Sequence, residues 1–233
     1  MTGLETLPQI ITAIGGLGTA AFGLVDATKV LGDWGPNRIG FGGIATAVKP
    51  LTPPAAAAGP PGNSLAPQKV LDTLQANWYN GTDLGSQKSI AKSLIKLNLN
   101  PGNAPSLASQ TGVDPAILTT VATSIAAGTP LSAAESDVFS RFDLILTALL
   151  DEAYQRSDQF YRNWTRTLAM TFSIALALVG GIMLHNAGSQ FSLLHDLADA
   201  AVVGILATPL APIAKDLSTA LATAVNTLQL VKK

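Results

Sequence analysis

The sequence predicts an all-α integral membrane protein with about three transmembrane helices and a small helical cytoplasmic domain. Composition is the first reason. Hydrophobic residues make up 48% of the 233 and charged residues 12%, about half the charge of an ordinary soluble domain, and the mean hydropathy is +0.35. The second is a set of long stretches without charge. The third is the placement of the cations: all fourteen Lys and Arg lie at Lys29–Arg166 or at Lys215, Lys232 and Lys233, with none in 1–28 or 167–214.

The first element, residues 1–32, is built on "LPQIITAIGGLGTAAFGLV", Leu7 to Val25, nineteen residues without a charge. That is close to the roughly 20 residues needed to cross a hydrocarbon core. An acidic "MTGLET" precedes it and no A-x-A site follows in "DATKVLGDW", so an uncleaved helix is expected rather than a signal peptide. Small residues recur at four-residue spacing, at Gly15, Thr19 and Gly23 and at Gly16 and Ala20. Such rows let helices approach closely in lipid. They serve either docking to partner subunits or packing within the bundle.

Residues 33–67 are dense in Gly, Pro and Ala, the composition of an irregular or extended linker. Residues 68–163 read as the helical cytoplasmic domain. "QKVLDTLQANWYN" puts Val70, Leu71, Leu74 and Trp78 on one face, and "NGTDLG" turns the chain into "SQKSIAKSLIKLNLN", a helical hairpin. Lys88, Lys92 and Lys96 form a row suited to anionic headgroups or to plain solvation. Asp114 with Pro115 starts another helix, and Ser132 with Glu135 has capping-box spacing. No breaker follows, so one helix is expected from about Leu131 to Leu184.

Within that helix the charges stop at Arg166. Residues 164–187 form the second crossing, with Arg162, Trp164 and Arg166 as an anchoring collar at the headgroup layer. Gly180 and Gly181 notch it. Residues 188–233 hold the third segment, where fifteen uncharged residues separate Asp199 from Lys215. Pro209 and Pro212 would bend it, as a kinked crossing or a re-entrant segment, and Gly204 supplies a further notch. Three crossings with the N-terminus outside place every cation, residues 33–163 and the C-terminus in the cytoplasm, as the positive-inside rule expects.

Little in the sequence points to chemistry. There is no cysteine, and neither His185 nor His195 sits in a metal motif, so no metal or other cofactor is expected. A net charge of −1 gives no electrostatic case for nucleic acid. "GGLG" lacks the strand and the Gly-Lys-Ser/Thr of a phosphate loop, and no nucleophile elbow is present. Asp151 and Glu152 point about 100° apart on a helix, which excludes a glycosidase-type pair. Asp26 and Asp199, at membrane helix ends, are the candidate ion or proton sites, because an acid in or near a bilayer is costly.

One resemblance follows from these residues. "FDLILTALLDEAYQRSDQFYRNWTRTLAMTFSIALAL" resembles the juxtamembrane stretch of a group of uncharacterised bacterial multi-pass membrane proteins, through Asp151, Asp158, Phe160, Tyr161 and Arg162. "LATPLAPIAKDLSTAL" is similar to their last helix, with Asp216 and Leu217 matching. The resemblance covers about 80 residues and implies a bacterial inner, or other energy-transducing, membrane. It brings no activity.

The expected role is a non-catalytic membrane-anchored structural or accessory subunit. Its partners would be the lipid bilayer and other membrane-protein subunits. The alternative is a small transporter or channel component using Asp26 and Asp199.

Overall fold

The computed structural model describes residues 3–29, 35–53, 65–186, 195 and 197–211. Eight α-helices occur among them. They are α1 (Gly3–Thr28), α2 (Pro36–Val48), α3 (Pro67–Tyr79), α4 (Leu84–Leu97), α5 (Ala104–Thr111), α6 (Pro115–Ala127), α7 (Ala133–Asn186) and α8 (Leu197–Ala211). A 3₁₀ turn, Lys49–Leu51, extends α2. The described residues contain no strand, so the all-α expectation holds.

The helix starts follow their local chemistry. Asp114 accepts from the Ala116 and Ile117 amides at 2.8 and 3.0 Å, covering two of the donors that a helix N-terminus leaves without a partner. At α7 the capping box closes in both directions. The Ser132 amide donates to Glu135 Oε2 at 2.6 Å, and the Glu135 amide donates to Ser132 Oγ at 3.3 Å. Ser124 Oγ also donates to Glu135 at 3.0 Å. These bonds, first that from Ser132, hold the Glu135 carboxyl below the usual carboxylate range. Gly112 and Gly128 end α5 and α6 at φ +68°, a left-handed conformation that glycine adopts without steric cost.

One expectation needs correction. The Gly/Pro/Ala-rich stretch is not irregular throughout: residues 36–48 form α2. Gly40, Gly42 and Gly43 each weaken helix propensity by about 1 kcal/mol, yet packing overrides it. Phe41, Ile44, Val48 and Leu51 are buried in the core. A Cβ on Gly40 would come within 2.7 Å of the Trp78 ring, so glycine is what admits that ring. The short helix α5 was also not expected. It runs between a turn in which Asn103 Nδ2 donates to the Asn98 carbonyl and the Gly112 cap.

The chain divides into two compact units, one of residues 1–36 and 162–233, the other of 37–161. The boundary falls inside α7. In the 37–161 unit the core is large and apolar: Ile44, Val70, Leu74, Trp78, Ile95, Leu107, Leu118, Phe142, Leu146, Leu150 and Tyr154. Trp78 Nε1 donates to the Asn37 carbonyl at 3.0 Å, and its ring meets Tyr161 edge-on at 5.8 Å. The Asn98 amide holds Leu65 by two bonds, accepting from its N–H at 2.8 Å and donating to its carbonyl at 3.0 Å.

Candidate functional site

The other unit is sorted in the opposite way. Its buried positions are small: Ala21 and Val25 of α1, Ala169 and Ser173 of α7, and Ala207 and Ala211 of α8. Its exposed positions include large apolar side chains, among them Ile10 and Leu24, Val179, Ile182 and Met183, and Val202, Ile205 and Leu206. In water this distribution would leave the larger hydrophobes unburied. Two helices, α1 over Ile10–Thr28 and α7, are long and apolar enough to cross a membrane, on length and composition alone. Helix α8 has fifteen residues and reaches about 22 Å, short of a hydrocarbon core of about 30 Å. Pro209 sits in its last turn, and Pro212, Lys215, Asp216 and Leu217 lie outside the described residues.

The glycine rows separate into two groups. Gly204 touches α7 backbone to backbone: a Cβ there would lie 2.6 Å from Ile174 Cα and 3.0 Å from the Ser173 carbonyl. Gly181 faces Ala200, with 3.4 Å to its Cβ. Gly15 is buried. Gly16, Thr19, Ala20 and Gly23 are exposed, and among the described residues nothing lies within 4 Å of a Cβ built on Gly16, Gly23 or Gly180. Thr19 Oγ1 donates to the Gly15 carbonyl at 2.9 Å, so this hydroxyl has its bond within α1.

The residue that joins α1 to α8 is Gly18, which the sequence reading passed over. A Cβ on Gly18 would collide with the Ala207 carbonyl and Ala211. The sequence carries its signal: Gly15, Gly18, Ala21 and Val25 follow a 3–4 helical stripe, distinct from the four-residue rows.

The two candidate acids are not drawn together into a polar centre. Asp26 pairs with Lys29 at 2.7 Å, three residues on. Asp199 is exposed on α8. Arg162, Trp164 and Arg166 all lie at exposed positions on α7. Among the described residues no group of three His, Cys, Asp or Glu is placed to hold a metal ion.

The lysine row is a correction. Lys88, Lys92 and Lys96 neither form a free basic face nor merely meet solvent; they tie α4 to α7. Lys88 pairs with Asp151, Lys92 with Asp143 at 3.1 Å, and Lys96 with Asp143 at 2.8 Å. Lys96 also lies 4.9 Å from the centre of the Phe139 ring. Lys96, with Lys92, holds the Asp143 carboxyl below the usual carboxylate range against the opposing effect of burial. A lowered carboxyl pKa adds stability that is complete above the unfolded value near 4 and fades as pH falls through the folded value. Asp143→Asn should therefore cost about 0.5–1 kcal/mol at pH 7 and low salt. The cost should shrink in high salt and fade as pH falls through the lowered folded value, as read by hydrogen exchange of α4 amides across a pH series.

Among the described residues of the 37–161 unit, three polar atoms are buried without a hydrogen-bond partner, Gln87 Oε1, Tyr154 Oη and Ser157 Oγ. Burial pushes the Tyr154 hydroxyl well above the usual tyrosine range, so it stays neutral. Beside Ser157 an apolar groove of about 630 Å³ runs between α2 and α7, lined by Ile39, Gly43, Ala47, Leu149, Ala153 and Phe160.

Comparison with known proteins finds no matching family model, no matching curated protein and no matching solved structure.

Proposed function

We propose that the chain is a membrane-anchored, non-catalytic accessory subunit that docks onto a larger membrane-associated assembly. The observation that carries this reading is the double use of small residues on α1. One stripe, Gly15, Gly18, Ala21 and Val25, faces inward, where Gly18 meets α8. A second, Gly16, Ala20 and Gly23, is exposed, and among the described residues nothing approaches a Cβ built on Gly16 or Gly23. In lipid, small residues favour helix–helix contact, while the lipid-facing role suits side chains such as Val179, Ile182, Met183, Val202 and Leu206. The second stripe is therefore the docking face for a helix of another membrane-protein subunit. Gly180, with open space above it, extends the same logic to α7.

In this reading α1 and the second crossing, residues 164–187, span a bacterial inner, or other energy-transducing, membrane. The segment beginning with α8 crosses too, kinked at Pro209. This third crossing is supported by the cation distribution, which it brings to one side. The N-terminus is then outside, and residues 33–163 and the C-terminus are cytoplasmic. Transport through Asp26 and Asp199 gains no support, since Asp26 is engaged by Lys29.

The absence of native cysteine makes topology directly measurable. Single-cysteine variants Ser189→Cys and Asn226→Cys, labelled in intact cells with an impermeant maleimide, should differ. The first should react from outside and the second only after lysis. Equal labelling of both would contradict three crossings, and the docking role is tested separately by the mass of the native particle.

A further inference from the structure

We draw no further inference here: the strongest candidate, the apolar groove of about 630 Å³ between α2 and the Leu149–Phe160 stretch of α7, carries none because nothing in the structure shows what covers it, its charged lining residues Glu152 and Arg156 being paired with each other and the unpartnered Ser157 hydroxyl lying against Gly43.

Discussion

Gly204→Leu should abolish the packing of α8 on α7. A Cβ at this position meets the Ile174 backbone at 2.6 Å, and a backbone atom cannot swing aside as a side-chain tip can. Overpacking of this kind costs about 1–3 kcal/mol and sometimes more; with backbone on both sides the upper end is expected, a shift of roughly a hundredfold in the packing equilibrium. Gly18→Leu should act similarly on the α1–α8 contact. The test uses the closeness of Gly181 and Ala200, whose 3.4 Å Cβ separation is near the 3.5–4.5 Å typical of a disulfide. The double variant Gly181→Cys/Ala200→Cys should cross-link on mild oxidation in the parent background and fail to do so with Gly204→Leu. Equal cross-linking in both would show that the contact is not what holds the helices together. Gly23→Leu, with open space above it, should leave the cross-link intact.

Trp78→Ala should have the largest effect in the 37–161 unit. The side chain is 8% exposed and joins three elements: α3 carries it, Asn37 in the first turn of α2 accepts its N–H, and Tyr161 of α7 meets its ring. Truncating a buried aromatic costs about 3–5 kcal/mol. Removing the indole also leaves the Asn37 carbonyl without its donor and the space beside Gly40 unfilled. Amide exchange of α2 and α3 should accelerate by more than about a hundredfold, since 1.4 kcal/mol is a factor of ten. Trp78→Phe keeps a ring and should cost less. Exchange in α2 unchanged by Trp78→Ala would mean that α2 is held by something other than this ring.

How much of this was legible in the sequence differs by unit. The α3–α4 hairpin, α6 and α7 carried strong local signals: apolar spacing at Val70, Leu71, Leu74 and Trp78, the Asp114 cap, and the Ser132/Glu135 box. Each is a property of neighbours within one helical turn or two. Helix α2 was not legible because its glycines argue against a helix locally and its reason for being one, Trp78, lies forty residues away. The lysine row misled for a similar reason. Its periodicity was clear, but its counter-charges Asp143 and Asp151 come from another helix, so a clamp within the fold resembled a face for solvent or for headgroups.

The small-residue rows were legible as rows but not as faces. Spacing alone could not say that Gly18 turns inward while Gly16, Ala20 and Gly23 remain open, because that depends on where α8 lies. The acids illustrate the same limit. Asp26 and Lys29 at i and i+3 could be paired from sequence, whereas the exposed position of Asp199 could not.

The docking proposal is tested most directly by the mass of the particle that carries this chain when its native membrane is solubilised in mild detergent. Blue-native electrophoresis followed by mass spectrometry of the band should show a discrete assembly containing unrelated membrane subunits. The band should be lost, with the chain still folded and inserted, in Gly16→Leu/Gly23→Leu. A monomer or a homo-oligomer from the native membrane would contradict the accessory role.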